Sequence, residues 1–228
     1  MPTNMIETFT GFRPEAIQFL ADLAENNDRA WFTPRKVDYE RLLKRPLEAL
    51  CVALDERFRA RDIPLLADPA RSPFRIYRDV RFSRDKSPYK TNIGASFPWR
   101  GDGDGSSGGY FHLSPGDIFV GGGIWHPEPA RLAAFRHLVD SDPGRVHGII
   151  DEPDFARTFG GLMGDRLTRV PKGFPSDHRD AELLKLKDVG FGHALSDDDV
   201  RSAGLVDRVA DTLEKGVPLL RLLANLPT

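Results

Sequence analysis

Apolar residues recur every three or four positions over 13–26, where Ile17, Phe19, Leu20 and Leu23 mark the buried side of a first helix. Trp31 and Phe32 follow. Thr33 then reads as an N-cap and Pro34 as the first residue of a second helix. Tyr39, Leu43, Leu47, Leu50, Leu54 and Phe58 keep the helical spacing across Pro46, which predicts one helix kinked at the proline. From Phe74 the period changes to two. Phe74, Ile76, Arg78, Val80 and Phe82 alternate with Arg75, Tyr77, Asp79, Arg81 and Ser83, the pattern of a strand with one apolar and one polar face. Thr91 to Phe97 alternates again, with Ile93, Ala95 and Phe97 inward. A glycine-rich loop over 101–109 leads into strands at 110–113 and 117–125, joined as a hairpin by Ser114-Pro115-Gly116.

The second half is more helical. Pro129 to Val139 is amphipathic through Leu132, Phe135 and Leu138, and 153–159 reads as a short helix. Leu167 to Val170 and Val189 to Ala194 are expected as strands flanking a helix near Ala181 to Leu186. Ser196 caps a C-terminal helical region with Asp197, Asp198 and Asp199 in its first turn, and the apolar spacing continues past Pro218 to Leu223. No repeat or interdomain linker interrupts the chain. The expectation is a single α+β domain over 1–228, a mainly antiparallel sheet with helices packed on one face.

At 228 residues, with 40% hydrophobic and 29% charged, the composition is that of an ordinary globular protein. The single cysteine, Cys51, sits in an apolar helical run and reads as a buried structural thiol. The N-terminal M-P-T-N-M-I-E-T lacks the basic region and apolar core of a signal peptide. No apolar run approaches the ~20 residues of a membrane helix, so the expected location is the cytoplasm, with no membrane partner. A net charge of −2 argues against a general nucleic-acid binder.

Charge is unevenly distributed. Between Arg71 and Lys90 seven cations (Arg71, Arg75, Arg78, Arg81, Arg84, Lys86 and Lys90) face only Asp79 and Asp85. That local +5 leaves −7 for the rest of a chain that totals −2. Arg75, Tyr77, Asp79 and Arg81 would share one sheet face, and the loop after them adds Asp85, Lys86, Tyr89 and Lys90. Arg78 stands in the apolar row and needs a partner if buried, with Asp79 and Asp85 close in sequence. Guanidinium and ammonium groups in this number suit a carboxylate or phosphate ligand. The same residues also describe an Arg–Asp network fastening a loop over the sheet.

Phe111 and Leu113 fit the core, which leaves Tyr110 and His112 on the opposite face as candidates for proton transfer. A lone strand histidine is more often structural. His126, before Pro127, has capping as its simpler role. Lys172, in P-K-G-F, and His178, in the loop after it, are candidates to approach the cationic residues. Other patterns lack their structural context. Gly103, Gly105 and Gly108 match G-x-G-x-x-G, and Gly105, Ser107 and Gly109 match G-x-S-x-G, but a strand follows where a helix is required. Asp102 and Asp104 begin a calcium-loop pattern whose terminal glutamate position is Leu113. Gly121 to Gly123 is read as a bulge in preference to a close approach by a ligand or another backbone. There is no C-x-x-C or H-E-x-x-H, and a metal-dependent nuclease built on Asp79, Asp85 and Lys86 lacks the acidic spacing. No metal site or cofactor is expected.

Several longer stretches occur together: F-T-G-F at Phe9 to Phe12, W-F at Trp31 and Phe32, and R-I-Y-R-D-V-R-F-S-R-D-K-S-P-Y-K at Arg75 to Lys90. G-G-Y-F-H-L at Gly108 to Leu113, G-G-G-I-W at Gly121 to Trp125 and P-K-G-F at Pro171 to Phe174 complete the set. On these the chain resembles the domain of unknown function 2461, an uncharacterised family, across nearly its full length. The resemblance implies no established activity, cofactor or catalytic residue. The residues themselves point to a protein that recognises a small phosphate- or carboxylate-bearing ligand. The alternative is a noncatalytic module docking an acidic protein or a nucleic-acid backbone. An enclosed recess favours the first and a flat basic patch the second.

Overall fold

In the computed structural model, which describes residues 8–81, 83–103 and 106–227, four strands form one antiparallel sheet. They are β1 (Ile93–Pro98), β2 (Gly108–Ser114), β3 (Asp117–Ile124) and β4 (Val189–Ala194), in the order β1-β2-β3-β4. The β2–β3 turn has Pro115 followed by Gly116 at φ +75°, the proline-then-glycine order of a type II turn. Its tightness sets the register, so Leu113 faces Ile118, His112 faces Phe119 and Phe111 faces Val120.

One face of the sheet is the core. Phe97, Phe111, Val120 and Phe191 are at most 2% exposed and point towards α1 (Pro14–Glu25), α3 (Arg45–Ala60), α6 (Pro153–Phe159) and α9 (Leu205–Ala224). Phe12 stacks on Phe111 with centroids 6.1 Å apart, and Phe58 meets Phe97 edge-on at 5.7 Å. Burying each such phenylalanine contributes about 1.5–3 kcal/mol. The result is the expected α+β arrangement with helices on one face. No helix among the described residues is long and apolar enough to cross a membrane.

The helices from residue 29 to 60 form one continuous run. α2 (Arg29–Tyr39) passes through a π-helical turn, Glu40–Lys44, into α3, and Pro46 lies in the first turn of α3. The irregularity expected at Pro46 is thus a widened turn just before it, marked by the Arg45 N–H donating to Glu40 O. The start of α2 differs from the expectation. Asp28, not Thr33, is the N-cap, its carboxylate accepting from the Trp31 N–H at 2.8 Å. Thr33 lies inside the helix with its hydroxyl donating to Arg29 O, and Pro34 is internal.

The cationic stretch is not a regular strand. Phe74 donates to Gly94 O and Ser96 to Ser72 O, a short bridge along the free edge of β1. Beyond it, Lys90 donates to Ile76 O and Arg78 to Pro88 O, so 76–78 and 88–90 pair with each other around a loop. Pro73 and Pro88 supply no N–H here, which prevents a full ladder. Phe74, expected in the apolar row, is 44% exposed. Phe82, from the same row, lies outside the described residues.

Gly121–Gly123 does not form a bulge. Pairing with β2 and with β4 runs through all three without interruption. Their role is close approach by another backbone: a Cβ on Gly121 would stand 2.2 Å from Phe191 O. In α9, Gly216 leaves the space that the Phe191 ring fills.

Further along, α4 (Pro129–Ser141) and α6 appear where expected, and α5 (Pro143–Ile150), which the periodicity did not single out, lies between them. Residues 167–170 form no strand; Leu167 donates to Lys185 O beside an isolated bridge of Arg166 with Leu186. α7 is Ala181–Leu184. Ser196 does cap α8 (Asp197–Arg201) in a reciprocal box with Asp199, and α9 then runs through Pro218. Of the glycine-rich loop, Asp104 and Gly105 lie outside the described residues, and Gly103 (φ +106°) packs on Ala224 at the end of α9.

Candidate functional site

The loop from Arg75 to Lys90 neutralises part of its own charge. Arg81 grips Asp79 through two donors, Nε to Oδ1 at 3.0 Å and Nη2 to Oδ2 at 2.6 Å. Its hydrogen bonds are the main reason the Asp79 carboxyl titrates below its ordinary range. Arg78 finds the partner its position demanded in Asp85, which also accepts from the Ser87 N–H at 2.9 Å and hydroxyl at 2.6 Å. The Arg78 guanidinium, then Ser87, hold the Asp85 carboxyl far below the usual range. Arg71 lies 3.8 Å from Asp68. Lys86 donates to Val80 O at 2.9 Å.

Arg75, Arg84 and Lys90 are left without a carboxylate within 4 Å among the described residues. Lys90 stands apart because it is half-buried. Its ammonium lies 5.1 Å from the centroid of the Phe74 ring, a cation–π contact. Burial first, and the Arg75 charge second, push its pKa down. An anion at this point would relieve both effects.

A cleft of about 300 Å³ opens beside it, between the end of α1 and residues 78–92. Arg78, Asp85, Lys90 and Asn92 contribute its polar wall, with Asn27 across from them. Asn27 fixes the wall by bonding the backbone of Tyr89 in both directions, each bond 3.0 Å. Tyr89 is buried against Phe32, centroids 4.0 Å apart, so this side of the cleft is anchored in the core. Desolvation pushes the Tyr89 phenol up, which suits packing better than proton transfer. Tyr77 is 48% exposed and leans on Tyr89.

Asn92 links the cleft to the open face of the sheet. Its Nδ2 lies 3.4 Å from His112 Nδ1, and the Tyr110 hydroxyl is 3.0 Å from the same nitrogen. Two donors converging on Nδ1 leave the neutral imidazole protonated on Nε2, which faces Asp117 at 3.7 Å. His112 stacks on Phe119 at 4.9 Å and 17°. Burial pushes its pKa down, outweighing the opposing pull of Asp117, so it is neutral at pH 7. Burial pushes Tyr110 up. The group is thus a protonated phenol hydrogen-bonded to a neutral imidazole, and the two opposite shifts disfavour passing the proton from one to the other.

The structure therefore brings Lys90, Arg78, Asp85 and Tyr89 to one cleft, with Arg75 beside Lys90 and with Tyr110 and His112 behind. Asp79 and Arg81 form an exposed pair. Lys172 is not brought to this cluster: its loop packs through Phe174 on His137 of α4, 5.8 Å between rings. His178 belongs to that side too, with Nε2 3.3 Å from Asp140. His126 is no helix cap; its N–H donates to the buried Asp188 at 2.7 Å. Asn27, Asn92, Phe119 and Asp117 were not singled out from sequence. The Pro115-Gly116 turn was the available signal for Phe119, since it places that residue opposite His112.

A second cleft of about 300 Å³ lies between α3 and the start of α9, but its cation, Arg57, is paired with Asp207 at 3.1 Å. Among the described residues no group of three or more His, Cys, Asp or Glu side chains is arranged to hold a metal ion.

Comparison with curated proteins and with solved structures gives no match. A family model described as a conserved hypothetical protein matches residues 15–221, which takes in the cationic loop, the hairpin and P-K-G-F but not the opening F-T-G-F. On that match the chain belongs to the DUF2461 family.

Proposed function

We propose that the protein binds a small phosphate- or carboxylate-bearing ligand where Lys90, with the Arg75 charge near it, lines the cleft. The observation that carries this reading is the half-buried Lys90 ammonium, beside a second cation and without a carboxylate. Native proteins pair buried charge, so an unneutralised one at the rim of a recess is suited to an incoming anion. Asn92 and Asn27 add neutral hydrogen-bonding groups that orient a ligand without repelling it. A recess, in place of a flat basic patch, favours a small molecule over the docking of an acidic protein or a nucleic-acid backbone. His112 and Tyr110 lie behind Asn92 as the groups for any proton transfer. A cytoplasmic location is part of the same proposal and rests on the one cysteine, buried and unpaired.

The test is thermal unfolding with increasing inorganic phosphate, citrate and a short oligonucleotide, on wild type and Lys90→Gln. A concentration-dependent stabilisation by a small anion, lost in Lys90→Gln, is expected. Binding of the oligonucleotide alone, with steep salt dependence, would sink the reading.

A further inference from the structure

Away from the helices, the sheet exposes a row of rings that begins at the cation. Lys90 Nζ sits over Phe74 at 5.1 Å; Phe74 and Tyr110 are 5.9 Å apart, and Tyr110 and Phe119 5.8 Å. His112 lies flat on Phe119 and closes the row. These side chains share a face because His112 pairs directly with Phe119, and Tyr110 precedes His112 by two residues. The cross-strand neighbours of Tyr110 and His112 on this face are otherwise small. Tyr110 pairs with Gly121 and Ser96, and His112 pairs with Gly94. The residues directly paired with Tyr110 are thus small, and its large neighbours on this face are the rings of the row itself. Phe74 is 44% exposed, and Tyr110 and Phe119 are each half-buried, presenting ring surface to solvent.

Aromatic side chains placed for a core would be covered, yet Phe74 is exposed and Tyr110 and Phe119 are covered only in part. A ring system ending at an ammonium matches a ligand that is planar and apolar at one end and anionic at the other. We propose that the ligand of this site is such a molecule, a heteroaromatic phosphate of the nucleoside monophosphate class. Its phosphate meets Lys90 and Arg75, and its ring rests on the face formed by Phe74, Tyr110 and Phe119. This rests on the anion-binding reading above and adds the chemistry of the uncharged half. Stacking on aromatic side chains tolerates any base, so the platform sets the ligand class without selecting one base. The Nε2–H of His112 and the Asn92 amide lie along the row, available to polar groups on the ring or sugar.

The experiment is titration calorimetry of the full chain with adenosine monophosphate, ribose 5-phosphate and inorganic phosphate. Wild type, Phe119→Leu, Tyr110→Leu and Lys90→Gln are compared, each first shown to unfold cooperatively. Adenosine monophosphate is expected to bind at least about tenfold tighter than ribose 5-phosphate. Either ring replacement is expected to close most of that gap, and Lys90→Gln to weaken all three ligands. Equal affinity for the two sugar phosphates, with both lost in Lys90→Gln, would overturn the ring platform and leave the anion site standing. Absence of binding by any of the three would overturn both.

Discussion

The side-chain amide of Asn27 and the backbone of Tyr89 exchange two hydrogen bonds, each 3.0 Å long, across 62 positions of sequence. The amide thereby takes the place of a neighbouring strand and holds the cationic loop to the end of α1. Asn27→Ala leaves both Tyr89 groups unpaired in a half-buried site. It is expected to cost about 1–3 kcal/mol in urea unfolding. An unchanged midpoint would show that the loop is held elsewhere.

Arg75 and Arg81 are predicted to part company. Arg81 already has its carboxylate in Asp79 at the surface, so Arg81→Ala is expected to leave phosphate binding unchanged. Arg75→Ala removes one of the two cations near the proposed phosphate. It is expected to weaken binding severalfold in a calorimetric titration with the fold intact. The reverse ranking would move the site to the tip of the loop.

His147 links α5 to the buried Asp180, with Nε2 2.8 Å from Asp180 Oδ1 and Nδ1 2.8 Å from Asp151. Hydrogen bonding to Asp180 first, then to Asp151, raises its pKa above the ordinary value near 6.5. A raised histidine stabilises the fold fully below its unfolded value, and that contribution is lost as pH rises through the folded value. The stability difference between wild type and His147→Gln should therefore shrink as pH is raised from about 6 into the alkaline range. A difference that grows with pH would reverse the assignment.

Gly216→Ala is expected to destabilise although alanine is the better helix former by about 1 kcal/mol. The added Cβ would lie 2.0 Å from the Phe191 ring, which is 2% exposed and has no free space to retreat into. Overpacking of this kind costs about 1–3 kcal/mol, measurable by chemical denaturation. A stabilised variant would mean that α9 can lift from the sheet.

Where one force dominated, the sequence was legible. The four strands, the long C-terminal helix and the Ser196 capping box follow from hydrophobic period and turn chemistry alone. The α2 start was misread because Thr33-Pro34 and Asp28 are both acceptable start signals. Packing of Phe32 against Phe19 and Tyr89 draws the earlier residues into the helix. The cationic loop was misread for a related reason. Alternation from Phe74 to Ser83 describes a strand, but a strand also needs a neighbour, and this segment meets the edge of β1 for only a few residues.

At the candidate site, the charge concentration marked the segment without showing which cations were paired. Arg78–Asp85 and Arg81–Asp79 are contacts of seven and two residues' separation that the spacing allowed but did not require. Lys172 was drawn in by its charge alone, and tertiary packing placed it on α4. The ring row was hidden because Phe74 was assigned to the core, and Phe119 acquires meaning only from the strand opposite.

The internal pairing of Arg78 and Arg81 has a consequence for how the protein meets long polyanions. Among the described residues Arg75, Arg84, Lys86 and Lys90 of the loop have no acidic partner. A nucleic acid laid along the loop would thus shed about four counterions, against the six to ten of proteins that grip DNA through its backbone. Raising ionic strength within the physiological range is therefore expected to weaken such an encounter only shallowly, with the slope of about four phosphate contacts.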